Sequence, residues 1–230
     1  MLGIDRLARG GVALLAAAAF SGCSADRDDR APHRMLLGAD EMRGALLQAA
    51  EIGPAWRAPD ASGDPAWLVS FCGGTSSPPP VPPGATVVSA PFVDQSDAGA
   101  QTLEQTALIY ADPSGAQAGL TVLRALAERC PGTTFVPEAV TGENIEPAYS
   151  ETVEVQPLRQ RAWTGFVVIR HKQYDKAHPG TGDSAVAVLA DRNVVLVDAY
   201  AIDHPGMAST GPQFTSDWQR LVGAVANRVG

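Results

Sequence analysis

Apolar residues recur at strand-like spacing in six segments of the chain, each rich in Val, Ile, Leu or aromatic residues. The last two segments are separated only by Asp191, Arg192 and Asn193. A connection this short predicts that these two strands pair as an antiparallel hairpin. The six predicted strands are residues 85–93, 102–110, 149–158, 163–172, 184–190 and 194–202.

Three further segments have apolar residues at helical spacing. Asp40 is the predicted cap of the first helix and Asp112 of the second, whose apolar face ends at Cys130. Ser216 with Gln219 resembles a capping box at the start of the third. The predicted helices are residues 35–52, 113–130 and 215–229.

The resulting order of elements is α-β-β-α-β-β-β-β-α. Short connections between neighbouring strands predict a mostly antiparallel sheet of about five to seven strands, backed by two or three helices. The fold class is therefore α+β. Residues 73–84 (GGTSSPPPVPPG) favour polyproline II, and we interpret them as a stiff exposed loop rather than a peptide ligand.

The first residues of the chain have the pattern of an export signal. Arg6 and Arg9 precede a short apolar run that is too short to span a bilayer, and the run is followed by Ser21, Gly22 and Cys23. This pattern resembles the bacterial lipobox, in which the cysteine receives a diacylglycerol. We expect residues 1–22 to be removed and Cys23 to carry the lipid. The alternative is an ordinary signal peptide that is cut elsewhere, without lipid on Cys23.

The three cysteines of the chain support this interpretation. Lipid on Cys23 leaves an even pair, Cys72 and Cys130, and an exported chain enters an oxidising compartment that favours a disulfide between them. Two buried free thiols are the alternative.

Charge and composition limit the choice of partners. The chain has 17 Lys and Arg against 25 Asp and Glu, which gives a net charge of −8. This balance argues against nucleic acid, because phosphate binding needs clustered basic residues. The negative charge also argues against electrostatic binding to anionic lipid headgroups. We therefore expect the chain to contact the membrane through its lipid anchor. Residues 23–34 are the predicted flexible tether, and residues 35–230 a single extracytoplasmic domain on the outer face of the cell membrane.

No recognisable catalytic or metal-binding motif occurs in the sequence. His171 and His178 are not spaced as ligands on one helix face, so no metal and no cofactor is expected. Ser184, Asp203 and His204 could supply a hydrolytic triad, but adjacent residues of a strand point to opposite faces. We expect no enzymatic activity. A hydrolase without a recognisable motif remains an alternative function.

One group of polar residues is a candidate ligand site. Alternation in the last strand places Asp198 and Tyr200 on one face, and Arg170 from a neighbouring strand is the third candidate. The hypothesis is that this face lines a ligand cleft. The alternative is a solvated sheet face with an ordinary ion pair, which contributes little to stability.

The order and spacing of these signals resemble an actinobacterial family, the PknH-like extracellular sensor domains, which also occur as free lipoproteins. The resemblance depends on residues 46–56, Cys72, residues 107–110 leading into the helix that ends at Cys130, residues 182–184 and the terminal helix. It implies a sensor or ligand-binding domain with a cleft and no catalytic residues. In this family, the sensor domain that forms the outer part of a receptor serine/threonine kinase has two disulfides, whereas this domain can form one.

The sequence therefore predicts a membrane-anchored lipoprotein with a ligand-binding or sensor-type domain. Its expected ligand is an unidentified small molecule or envelope component, and a membrane receptor protein is a further expected partner. The alternative function is a protein-interaction module of an envelope or receptor complex.

Cys23→Ser should release the full-length protein from the membrane fraction, because the serine hydroxyl cannot form the thioether to lipid. Fractionation and intact-mass measurement check this prediction. Cys72→Ser is the matched control, since it removes a different thiol and should leave the protein on the membrane. Unchanged membrane retention and mass in Cys23→Ser would contradict lipidation.

Overall fold

The computed structural model describes most of residues 36–229. Cys23, the predicted signal peptide and the predicted tether lie outside the described residues, as does His178. The described residues are 36–60, 64, 66–74, 76–94, 100–141, 144–175, 177, 179–206 and 210–229.

Ten strands and four helices occur in the described part of the chain, and their order confirms the α+β class. The strands are β1 (Trp56–Arg57), β2 (Thr86–Asp94), β3 (Ala100–Ile109), β4 (Thr133–Val136), β5 (Ala139–Thr141), β6 (Asn144–Glu146), β7 (Tyr149–Gln160), β8 (Trp163–Tyr174), β9 (Gly180–Asp191) and β10 (Val194–Pro205). The helices are α1 (Ala39–Ala45), α2 (Ala49–Ile52), α3 (Pro113–Ala127) and α4 (Gly211–Arg228).

Eight strands form one sheet in the order β1-β2-β3-β10-β9-β8-β7-β4, and every pairing in it is antiparallel. The six predicted segments are its long strands, and β5 with β6 forms a separate two-stranded hairpin. The short elements β1, β4, β5, β6 and α2 were not predicted. Without them, the observed order is the predicted one.

The prediction of a single first helix over residues 35–52 is wrong. The chain leaves the helical conformation at Leu46, and the backbone N of Leu47 instead donates to Oε1 of Gln105, at 2.9 Å. Asp40 is not the cap either, because Gly38 occupies the N-cap position. Tertiary contacts with the sheet therefore divide one helical pattern into α1 and α2.

The other two helix starts gave different outcomes. Asp112 caps α3 as predicted, since its Oδ1 accepts from the backbone N of Gly115 at 2.8 Å. The capping box at Ser216 and Gln219 is wrong, because α4 begins at Gly211 after the N-cap residue Thr210. A proline in the first turn suits this earlier start. Backbone N–H groups in the first turn have no partner within the helix, so the N–H that proline lacks costs nothing there.

The predicted β9–β10 hairpin is confirmed, with antiparallel pairing from Asp191 and Val194 onward. Asn193 in its turn is buried and holds two other segments. Its Oδ1 accepts from the backbone N of Leu37 at 2.8 Å, and its Nδ2 donates to the carbonyls of Leu37 and Tyr110 at 3.0 and 2.8 Å. The turn therefore fixes the start of the described chain against the end of β3.

Both faces of the sheet are covered by apolar layers. One layer lies under α1 and α4, where Met42, Trp218 and Val222 pack on alternate residues of β3, β8, β9 and β10. The other lies under α3, where Leu120 and Leu123 pack on the intervening residues. Within the described residues, none of the helices combines the length and apolar character that crossing a membrane requires.

An irregular stretch covers the rest of the second face. We call residues 66–74 and 76–82 the cover segment. Its two arms pair through the backbone, since Trp67 bridges Pro80 and the N of Leu68 donates to the carbonyl of Pro79 at 2.9 Å. The proline-rich arm is only partly the exposed loop that was expected, because Pro79 and Pro82 are buried.

The cover segment is fixed to α3 by a disulfide. Cys72 is bonded to Cys130, three residues after the end of α3, which confirms the predicted pair. Beside it, Leu68 and Phe71 are buried in the second layer, and the Phe71 ring meets the Phe166 ring edge-on at 6.3 Å. The bridge closes a loop of 58 residues, so its loss would raise the conformational entropy of the unfolded chain and lower the stability of the domain.

Candidate functional site

Asp198 lies inside the first apolar layer, with 2% of its surface exposed. Its direct neighbour on β3 is Gln105, whose Nε2 donates to Oδ2 of Asp198 at 3.1 Å. Gln105 in turn accepts from Leu47, so the carboxyl is linked to the connection between α1 and α2. The alternative of a solvated sheet face is therefore wrong at this position.

Burial raises the pKa of Asp198 to about 7, and the hydrogen bond from Gln105 opposes part of this rise. The raised pKa follows from desolvation, because an apolar layer disfavours the charged carboxylate. The proton equilibrium of this buried carboxyl is therefore shifted towards neutral pH, and Gln105 links it to Leu47 between α1 and α2.

Tyr200 shares this face with Asp198 and joins α4 to the sheet. Its hydroxyl donates to Oε1 of Gln101 at 2.7 Å and lies 3.4 Å from Oδ2 of Asp217 on α4. Its ring stacks on Phe214, with centroids 6.1 Å apart. Burial is the main cause of its raised pKa, and Asp217 adds to it. These contacts give Tyr200 a structural role in this conformation.

Arg170 does not join these two residues. The register places it opposite Ser184, which pairs with Ala201, so Arg170 points to the second face of the sheet. Its Nε donates to Oγ of Ser184 at 2.7 Å and lies 3.8 Å from Oε1 of Glu151. The three candidate residues thus belong to two different environments, which sequence alternation alone could not show.

Glu151 is a buried carboxylate beside Arg170, with 1% of its side chain exposed. Its Oε1 has no hydrogen-bond partner among the described residues, and burial raises its pKa more than Arg170 lowers it. The backbone of Gly73 in the cover segment lies directly on this carboxylate, where a Cβ would overlap with it. The disulfide-bonded cover segment therefore closes over Glu151.

The histidines provide only part of a hydrolytic site. Nδ1 of His171 lies 2.6 Å from Oδ1 of Asp183, and the hydroxyl of Thr210 donates to the other oxygen of Asp183. A carboxylate thus orients the imidazole, but the hydroxyl contacts the carboxylate rather than the ring. No described hydroxyl or thiol is hydrogen-bonded to Nε2 of His171.

The triad considered from the sequence does not form. Asp203 pairs with Gly182 and shares a face with Ser184, whereas His204 pairs with Thr181 and points to the opposite face. Metal chemistry has no visible centre either, because the described part of the chain contains no group of three or more His, Cys, Asp or Glu that could hold an ion.

An open groove between the cover segment and β3 is the strongest candidate site. It has a volume of about 600 Å³. Trp67 lies on it with 51% of its surface exposed, and Glu104 faces it from β3. We call this the Trp67 groove, and its lining residues are Asp64, Trp67, Leu68, Val69, Ser70, Ser77, Pro78 and Glu104.

Two polar side chains of the groove differ from those of an ordinary solvated surface. The Oγ of Ser70 is buried and has no hydrogen-bond partner among the described residues. The surrounding walls also raise the pKa of Glu104, although its carboxylate remains accessible from the open side. Sequence reasoning missed this groove. Alternation assigns Glu104 to a face, but it does not reveal that residues far away in the sequence fold over that face.

Exposed apolar residues occur on β4 and on the β5–β6 hairpin. Phe135 on β4 is 66% exposed, and Val140 and Ile145 are 66% and 61% exposed. Val140 and Ile145 pair directly across the β5–β6 hairpin. An apolar pair on a small exposed hairpin is more typical of a protein contact than of a buried core.

Solved structures from mycobacteria are similar to this chain. The crystal structure of the extracellular domain of PknH from Mycobacterium tuberculosis is 14% identical, with 84% of this chain and 99% of that chain covered and a TM-score of 0.49. The X-ray structure of an uncharacterized protein from Mycobacterium smegmatis, an Rv0999 ortholog, is 13% identical, with 84% and 96% covered and a TM-score of 0.39.

The first of these is the extracellular domain of the family that the sequence resembles. No protein-family model matches the chain, and the curated proteins gave no match. The two structural likenesses are too distant to transfer a ligand, an activity or a site residue to this chain.

Gly73→Ala should destabilise the domain more than Gly84→Ala. Both glycines have positive φ, +70° and +84°, so both variants incur the backbone cost of about 1–2 kcal/mol. Only at Gly73 does the new Cβ meet Glu151, which adds overpacking of about 1–3 kcal/mol, whereas nothing lies within 4 Å at Gly84. Denaturant unfolding measures the difference, and equal losses would show that the cover segment is not closed on Glu151.

The stability of Asp198→Asn relative to wild type should increase as the pH rises from 4 to 8. The unfolded carboxyl titrates near pH 3.9, whereas burial raises the folded pKa to about 7. The folded state therefore holds the proton more tightly, and the wild type loses stability as the pH rises through this window. Asn keeps an acceptor for Gln105 and cannot ionise.

Relative to wild type, the free energy of unfolding of Asp198→Asn should rise by about 4 kcal/mol between acidic pH and pH above 7. This value follows from about 1.4 kcal/mol per unit of pKa difference between the folded and unfolded states. Unfolding in denaturant at several pH values measures it. Asp40→Asn is the control, because it removes an exposed carboxylate of α1. A stability difference between Asp198→Asn and wild type that is constant from pH 4 to 8 would refute a buried titrating carboxyl.

Proposed function

We propose that the chain is a lipid-anchored, extracytoplasmic domain that binds a small molecule in the Trp67 groove without catalysing a reaction. The observation that carries this proposal is the groove itself. A half-exposed tryptophan lies beside apolar walls and a few polar groups, next to a well-packed sheet. Sites for small molecules usually combine a largely apolar wall with a small number of polar groups.

The location is supported by the leader and by the disulfide. The leader has the features of an export signal followed by Cys23, and Cys72 is bonded to Cys130. Structural disulfides persist in oxidising compartments outside the cytoplasm. Lipid on Cys23 would keep the domain at the outer face of the membrane, with the tether as a spacer.

The construction of the groove supports a binding role. One wall comes from the cover segment, which the disulfide and the buried side chains of Leu68 and Phe71 hold in place. The other wall comes from Glu104 on β3, a strand paired on both sides. A site with walls fixed in this way needs little rearrangement when a ligand binds, which reduces the entropic cost of binding.

Binding without catalysis agrees with the chemistry of the groove. Among its lining residues, carboxylates, serine hydroxyls and apolar side chains occur without a histidine or cysteine. The His171–Asp183 pair lies on the first face of the sheet, whereas Glu104 lies on the second. Among the described residues, the histidine that pairs with a carboxylate is thus separate from the groove.

A protein-interaction module is the second candidate function, and the exposed residues Phe135, Val140 and Ile145 favour it. In that case a membrane receptor or another envelope protein would contact the β5–β6 hairpin. The two functions use different surfaces, so a substitution on each surface can distinguish between them.

Trp67→Ala should abolish the small-molecule adduct of the protein purified from its own envelope, because the largest apolar surface of the groove is removed. Native mass spectrometry measures the adduct. Phe135→Ala is the matched control, since it removes an exposed aromatic side chain elsewhere and should leave the adduct intact.

Two outcomes would contradict the proposal. One is the absence of any adduct on the wild-type protein, and the other is an equal adduct on Trp67→Ala. An adduct that is lost only in Phe135→Ala would place the small-molecule site at Phe135 on β4 and not in the Trp67 groove.

A further inference from the structure

The Trp67 groove carries negative charge without a matching positive charge. Asp64 and Glu104 both line it, and none of its described lining residues is basic. A backbone turn keeps Asp64 next to Trp67, since the N of Trp67 donates to the carbonyl of Asp64 at 3.1 Å. One oxygen of Asp64 accepts from the backbone N of Ala66 at 2.9 Å.

Glu104 has no hydrogen bond or ion pair with any described residue. Its direct cross-strand neighbours explain why, because Pro91 on β2 and Ala199 on β10 have no side-chain donor. The carboxylate therefore lies between two residues without polar side chains and faces the cover segment across the groove. The raised pKa of Glu104 agrees with this setting, since desolvation by the walls disfavours its charged form.

Trp67 supplies the complementary surface. An indole ring attracts a cation to its face more strongly than other aromatic rings, and half of this side chain is accessible. Leu68, Val69 and Pro78 add apolar wall beside it. The groove thus combines an aromatic face, an apolar wall and an unpaired carboxylate within one volume.

We infer that the ligand of the Trp67 groove is an organic cation, a molecule with an apolar body and a positively charged nitrogen that pairs with Glu104 and lies against Trp67. This inference rests on the proposed function and makes it specific. Carboxylates paired with an aromatic face favour ammonium groups, because both attract positive charge and the apolar wall accepts the attached carbon skeleton.

The test uses two probes of similar shape, 2-phenylethylammonium and its neutral analogue 2-phenylethanol. Calorimetric titration into the purified domain measures both dissociation constants. We expect the cation to bind about tenfold more tightly than the alcohol to the wild type. Glu104→Gln should reduce this preference to about twofold or less, because the amide keeps the shape of the side chain and loses its charge.

Glu154→Gln is the matched control, since Glu154 is an exposed glutamate on β7 outside the groove. It should leave the tenfold preference unchanged. The fold of Glu104→Gln should remain intact, because Glu104 has no described polar partner to lose, and the unfolding transition verifies this.

The outcomes separate this inference from the proposed function. Equal binding of both probes to the wild type, or an unchanged preference in Glu104→Gln, overturns the cation inference. If Trp67→Ala still removes the native adduct in that case, the groove remains a ligand site for a neutral molecule. A lack of binding by either probe at millimolar concentration also contradicts the inference, whereas the adduct measurement decides the proposed function on its own.

Discussion

The pairing of β10 with both β3 and β9 is the constraint on which the rest of the structure depends. Strands on both sides and covered faces above and below leave no solvated position along most of β10. Every polar side chain there must find a partner in the interior or raise the free energy of the folded state. Asp198 and Tyr200 satisfy this requirement through Gln105 and Gln101, which lie on β3.

The same pairing explains why neighbouring positions of β3 have such different environments. Gln105 faces the first apolar layer and is fully buried, whereas Glu104 faces the second layer at a place that α3 does not cover. The cover segment closes part of that space and leaves the Trp67 groove. Two features therefore form this groove. A strand presents a polar side chain on the second face, and a segment distant in the sequence covers only part of that face.

The cover segment shows how a sequence without regular periodicity becomes an ordered wall. Its prolines restrict the backbone, its two arms share hydrogen bonds, and Cys72 joins it to the end of α3. Phe71 and Leu68 then bury the inner side, while Trp67 remains half exposed on the outer side. The disulfide thus fixes the wall that carries Trp67.

The sequence by itself determined the long strands, the start of α3, the β9–β10 hairpin and the pairing of Cys72 with Cys130. These features depend on local periodicity, on capping chemistry and on the number of cysteines, all of which can be counted along the chain. Only the tertiary structure decided that residues 35–52 form two helices, that Arg170 lies on the opposite face from Asp198, and that Trp67 and Glu104 line the same groove. Strand register and the path of the cover segment decide these outcomes, because they bring together residues that are distant in the sequence.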